Sequence, residues 1–352
     1  MDDASNDTRD DTRDDAHNDA HNDTHDHPHN DTRVDHHNDV FCDDVLYNIL
    51  HWLYQAGDTV TATRLLSTRV HKDLRSCAKY LEQPVVFTVK TLQDRVINIQ
   101  TRSVDYIVVV DWGDECLETT SGSLRHIYQA EGVYRIRLYN IRGFHHMLAP
   151  DTLTSFDTLG NTITDMHYMF TNTPKFNQPL LWNTHAVTDM SFAFSNAYRF
   201  NQRLIWNTNN VTDMSFMFYY AVDFNQPLTW NTHMVTNMSY MFGHAHTFNQ
   251  LLILDTRAVT NMNSMLVNTR MFNQPLTWNT REVTSMDCMF SYASSFNQPI
   301  EFNTRAVKSM RYMFAYAHAF KQPLTFDTRM VDTSGMFNDA HAYNRSRVVS
   351  FD

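Results

Sequence analysis

From Ile163 onward the hydrophobic and polar positions recur with a period of 24 residues, and an aliphatic anchor falls at Ile163, Val187, Val211, Val235, Val259, Val283, Val307 and Val331. Within one unit, residues 211–234, Met214, Met217, Phe218 and Ala221 stand at i, i+3, i+4 and i+7. That spacing predicts one short helix with an apolar stripe, for which Asp213 is the candidate cap. Leu228 and Trp230 then alternate with polar neighbours, which predicts a short strand, and Asn231-Thr232 supplies the turn back. A helix-strand unit this small cannot enclose a core, so neighbouring units must stack into a solenoid. Fourteen of the 19 Met occupy two slots of the repeat. At that spacing they read as flexible core filler between turns rather than as a cofactor site. The repeating Asn-Gln pairs are expected to form hydrogen-bond ladders along the stack.

Two other patterns precede the repeats. Between residues 41 and 82, Leu46, Ile49, Leu50 and Leu53 follow Asp43-Asp44 with helical spacing, and Leu65, Leu66, Val70 and Leu74 lie in a second helical stretch. So few residues bury little surface alone, and a partner is expected to complete their core. Between residues 83 and 148, β-branched and alternating runs such as Pro84–Lys90 and Asp105–Asp114 predict strands. In Asp111-Trp112-Gly113-Asp114, Asp and Gly are expected to shape a turn, with Trp112 packing inward. The fold class expected is therefore α+β: a helical module at 41–82, a small β module at 83–148 and a helix-strand solenoid at 149–345, flanked by tails at 1–40 and 346–352.

Charge alters this outline at one end. The chain's net charge is −11, and residues 1–40 hold 13 Asp against 3 Arg, so that segment alone carries −10. Its Asp/His repeats lack apolar side chains and are expected to stay solvated and disordered. The remaining body is almost neutral, which argues against a nucleic-acid binder driven by bulk charge. Four Cys without ligand spacing imply neither a metal centre nor a disulfide scaffold. No leader-like segment or membrane-length apolar run is seen, so a soluble intracellular protein without membrane contact is expected. No nucleophile-base constellation, phosphate loop or cofactor motif accompanies these elements, so the expectation is a protein that is not an enzyme and needs no cofactor.

Three segments resemble known families. FCDDVLYNILHWL followed by RLLSTRVHKDL resembles an F-box. That resemblance implies docking on the Skp-type adaptor of a cullin ubiquitin ligase through Val45, Leu46, Ile49, Leu50, Leu53, Leu65 and Leu66. The Trp112-Gly113-Asp114, His126-x-Tyr128 and Gly132-x-Tyr134 motifs resemble a PKD-like sandwich. The pattern VTDMSFMFYYAVDFNQPLTWN closely resembles the BspA-type leucine-rich-repeat surface-protein family, many of whose members bind host proteins. The combination with an F-box is similar to proteins encoded by large DNA viruses of amoebae, which implies the host cytoplasm.

Together these resemblances imply a substrate adaptor whose repeats hold a target for ubiquitination, with a surface or virion adhesin as the alternative. Stacking puts positions 24 residues apart in register, so candidate target-binding columns can be read directly. One contains Arg257, Arg281, Arg305 and Arg329, a ridge suited to an acidic partner. Another contains Tyr220, Tyr292 and Tyr316, residues favoured at interface hot spots.

Overall fold

Strand-forming residues in the first part of the chain do form strands. The structure, a computed structural model, describes residues 83–343 except 92–94, 102–107, 121–122, 140 and 147–151. The acidic tail at 1–40, the helical module at 41–82 with all seven adaptor-docking residues, and the tail at 346–352 lie outside the described residues.

Eight strands are present: β1 (Val85–Lys90), β2 (Val96–Thr101), β3 (Val108–Asp111), β4 (Leu117–Thr120), β5 (Leu124–Ile127), β6 (Val133–Tyr139), β7 (Phe144–His146) and β8 (Leu153–Thr158). They make two antiparallel sheets, β4-β3-β6-β1-β8 and β5-β2-β7. Val85, Phe87 and Val89 from β1, Ile97 and Ile99 from β2, and Ile136 and Leu138 from β6 supply the buried side chains between them. Trp112 is fully buried, and the Tyr128 hydroxyl donates to its carbonyl at 2.9 Å. Asp111 and Asp114 accept from the backbone N–H groups of Gly113 and Cys116, and Glu115 takes a φ of 71° to complete the turn.

The α+β expectation does not hold: among the described residues there is no helix. The segment around Met214–Ala221 shows why. Met214, Met217, Phe218 and Ala221 are all buried, as the spacing implies. An α-helix, however, would return every N–H to the carbonyl four residues back. Here alternate amides diverge. The N–H groups of Met214, Phe216, Phe218 and Tyr220 donate to the carbonyls of Asn237, Ser239, Met241 and Gly243 in the next coil. Those of Met217, Tyr219 and Ala221 close three-residue turns onto Met214, Phe216 and Phe218. Phe216 and Tyr220 both sit at φ 56°, the left-handed region that an α-helix cannot contain. Successive β-turns thus bury the same positions as a helix by a different route.

The expected strand around Leu228 and Trp230 is also corrected. Both side chains are buried while Thr229 is exposed, yet the segment forms no ladder. Pro227, Pro275, Pro299 and Pro323 lack the donor that a continuous ladder needs. Side chains bridge the coils instead. Asn201 Oδ1 accepts the Asn225 N–H at 2.9 Å and Gln226 Nε2 at 3.0 Å, and the same pair of bonds recurs from Asn225 and Asn249 to the coils that follow them. Trp230 Nε1 donates to the Leu204 carbonyl and Thr232 Oγ1 to that of Asp255. A parallel bridge per coil runs from Gly143 through Asp165, Asp189, Asp213, Asn237, Asn261, Ser285 and Ser309 to Asp332. Its first step joins the β module to the solenoid. Gly143 permits that step, because a Cβ there would lie 2.8 Å from the Asp165 carbonyl oxygen.

Candidate protein-binding face

Each coil carries two residues in the left-handed conformation. One column runs Tyr168, Phe192, Phe216, Tyr240, Ser264, Cys288, Tyr312 and Gly335; the other runs Asn172, Asn196, Tyr220, His244, Asn268, Tyr292, Tyr316 and Asp339. For bulky L-residues that conformation costs roughly 1–2 kcal/mol each, and Gly or Asn occupies it more cheaply. In the first column the early coils nevertheless carry rings, at Tyr168, Phe192, Phe216 and Tyr240, and Tyr312 does so again in the seventh coil.

The rings form a ladder. Tyr168 meets Phe192 at a centroid distance of 4.7 Å, Phe192 meets Phe216 at 4.4 Å, and Phe216 meets Tyr240 at 4.5 Å. His167 packs on Tyr168 at 3.9 Å, Tyr219 lies edge-on to Phe216 and Tyr240, and Tyr220 stacks on His244 at 4.1 Å. All eight of these rings are half-buried, so their outer edges form a continuous aromatic surface over the first four coils. Of the three tyrosines expected to contact a target, Tyr220 belongs to this surface. Tyr292 and Tyr316 stack on each other at 4.3 Å further along the same column. The Asp339 carboxylate, hydrogen-bonded to the Tyr316 phenol, raises the pKa of that phenol.

The structure does bring the four arginines into one column. Each backbone N–H is held by the side chain two residues earlier: Asp255, Asn279, Asn303 and Asp327. Their charges are not equally available. Asp255 binds the Arg257 guanidinium at 2.6 Å and Asp327 binds that of Arg329 at 2.7 Å. The Arg329 hydrogen bond is the main cause that holds Asp327 down to about 2. Arg281 has Glu282 at 3.6 Å, and Arg305 has no ion pair among the described residues. The Arg and Tyr columns occupy different stretches of each coil.

Sequence reasoning missed the Tyr168–Tyr240 column. The available signal was an aromatic residue recurring five positions after the anchor, beside a column where Asn172, Asn196 and Asn268 already marked left-handed backbone.

Near the ladder, His167 Nδ1 lies 2.5 Å from Ser191 Oγ, which donates to Asp189 Oδ1 at 2.5 Å. The Ser hydroxyl is spent on the carboxylate, and the imidazole is left as its donor. That order is the reverse of a nucleophilic relay, in which His takes the Ser proton. Burial is the largest cause that lowers His244, followed by His246 and Arg270, and its neutral Nδ1 lies 2.9 Å from Asn268 Nδ2. Among the described residues, no three His, Cys, Asp or Glu converge on a metal-sized site.

A solenoid of 24-residue β-turn coils defines the chain as a repeat protein. The family model described as "Mycoplasma protein of unknown function, DUF285" matches residues 141–254 and 251–350, and the chain belongs to this family of BspA-like surface repeats. Residues 1–140 lie outside the match, so the F-box-like and PKD-like resemblances rest on their motifs alone. Neither the curated proteins nor the solved structures returned a match.

Proposed function

We propose that this chain is a protein-binding scaffold without catalytic chemistry of its own, whose solenoid holds a protein target on the aromatic face of its first four coils. One observation carries the reading. Eight half-buried rings line that face, several of them on left-handed positions that Ser264, Cys288 and Gly335 fill without a ring elsewhere in the same array. The backbone does not require those rings, while interfaces favour them. A photo-crosslinking residue at Phe216 or Tyr240 should capture a discrete partner in the producing cell, and the same residue at exposed Thr229 should not. Equal labelling from all three positions would count against the face.

The finer reading is that residues 41–82 dock on a Skp-type adaptor and so deliver the target to a cullin ligase. It is supported by the F-box-like motif. Co-precipitation of purified adaptor with the full chain tests it: Leu46→Asp with Ile49→Asp should abolish capture, and a wild-type chain that fails to bind ends the ligase reading. Membership of a surface-repeat family favours the alternative, an adhesin on a cell or virion, for which surface labelling of the intact particle is the direct assay. An acidic partner would act chiefly on Arg281 and Arg305, the two ridge arginines not bound by Asp. Their joint reversal to Glu should weaken its capture at low salt.

A further inference from the structure

The aromatic face has a charged margin that the coils carrying Asn237, Asn261, Ser285 and Ser309 lack; Asp332 restores the acid in the last coil, where Gly335 stands in place of the ring. Parallel bridges place Asp165, Asp189 and Asp213 on consecutive coils, so their carboxylates recur at about the 4.8 Å spacing of adjacent strands. This column adjoins the ladder, because Ser191 links Asp189 to His167, whose ring packs on Tyr168 and Phe192.

Each Asp accepts the N–H two residues on: Asp165 from His167, Asp189 from Ser191, whose hydroxyl it also accepts, and Asp213 from Ser215, with its other oxygen accepting Asn237 Nδ2 of the next coil. Asn237 and Asn261 perform that task in the fourth and fifth coils without charge. The negative charge is therefore not needed for the turn. Like charges at this separation repel even in water, more so when half-buried. Asp189 and Asp213 have no Arg or Lys partner among the described residues. Arg199 of the second coil is already paired with Asp223 at 3.0 Å. Carboxylates and rings, each dispensable to the backbone, thus coincide on the first three coils.

We propose that the aromatic face of these coils binds a basic protein segment, with Arg or Lys side chains laid across the ring edges and their charges seated on Asp189 and Asp213. The ring faces are occupied by one another, so the attraction is contact with the aliphatic stems plus charge pairing at the tip. This inference rests on the proposed binding face and names the chemistry of its partner.

The test is fluorescence anisotropy of the full chain with a fluorescein-labelled peptide of alternating Arg and Ala, alongside its Glu-Ala counterpart. Asp189→Asn with Asp213→Asn copies what the fourth and fifth coils already carry, so the fold is kept. Asp14→Asn with Asp15→Asn removes the same charge from the acidic tail and controls for net charge. The first pair should weaken Arg-peptide binding roughly fivefold to tenfold at low ionic strength, with the difference fading as salt is raised. The tail pair should change it far less. Equal effects from the two pairs would overturn the proposal. Phe192→Ser with Phe216→Ser separates the two layers of inference. If crosslinked partner capture is lost with the rings while the Arg peptide ignores Asp189 and Asp213, the face stands and the basic partner falls. If neither changes, both fall.

Discussion

Asn225→Ala is the substitution that bears most directly on how the coils are held. The Asn225 side chain is the acceptor for the next coil: its Oδ1 receives the Asn249 backbone N–H at 3.0 Å and Gln250 Nε2 at 3.1 Å. Alanine leaves the residue's own N–H bonded to Asn201 Oδ1 but strands the half-buried Asn249 donor. A net hydrogen bond contributes about 1 kcal/mol, and a stranded buried donor costs about 1–3 kcal/mol. Half-burial lets water recover part of that, so the expected loss is about 1.5 kcal/mol. Asn225→Asp keeps the acceptor oxygen and should stay within about 0.5 kcal/mol of wild type. Urea unfolding followed by tryptophan fluorescence reads both, since Trp206 and Trp230 are buried in this part of the stack. Alanine and aspartate variants with the same midpoint would show that the side-chain ladder does not hold the coils together.

Three further outcomes are expected. Phe218→Ala should cost about 3–5 kcal/mol, because the fully buried ring touches Phe194, Phe224 and Phe242, whereas Phe218→Leu should cost well under half of that, since Leu266 fills the same slot in the fifth coil; paired urea midpoints check the ratio. His244 is held below its ordinary value of 6.5 by burial first and by His246 and Arg270 next. The unfolded chain therefore takes the proton first, so stability is full above that value and falls as pH drops below it, until the folded His244 also protonates. His244→Asn should shrink the loss between about pH 7.5 and about pH 5.5 in the same assay. Gly335→Ala should cost about 2 kcal/mol, because φ is +66° and the new Cβ would lie 2.4 Å from the Tyr312 ring; a double-mutant cycle with Tyr312→Ser should recover the steric part and leave the backbone strain.

The interior of the solenoid was legible because it repeats. Val211, Met214, Met217, Phe218, Leu228 and Trp230 were identifiable as core from recurrence alone, and all are buried. The backbone was not legible, because i, i+3, i+4, i+7 marks a buried stripe without saying whether helix or consecutive turns produce it. Hydrogen bonding decides between them, and the clues lay among polar residues: Asn172, Asn196 and Asn268 at left-handed positions, and proline where a strand would need a donor. The Arg column was legible as a column but not as a charge pattern. Asp255 and Asp327 stand two residues before Arg257 and Arg329, and only the Asx-turn geometry shows that they neutralise them.

A stacked array contains its own comparisons, and they separate what the backbone needs from what it merely carries. Phe302 and Phe326 replace Trp without leaving the core, so that column answers to packing. Asn replaces Asp at 237 and 261 with the turn bond intact, so charge at 189 and 213 does not answer to the turn. Ser264, Cys288 and Gly335 hold the same left-handed backbone as Phe192 and Phe216, so those rings do not answer to the backbone either. Features of the last two kinds are free to be used outside the fold, and they coincide on the first three coils. A ring alone recurs at Tyr312 and an acid alone at Asp332, but only the first three coils carry both together. Exchanging Asp189 and Phe192 for the Asn and Ser of the later coils should therefore leave the unfolding midpoint nearly unchanged while removing partner capture. A large loss of stability would show that the face is structural after all.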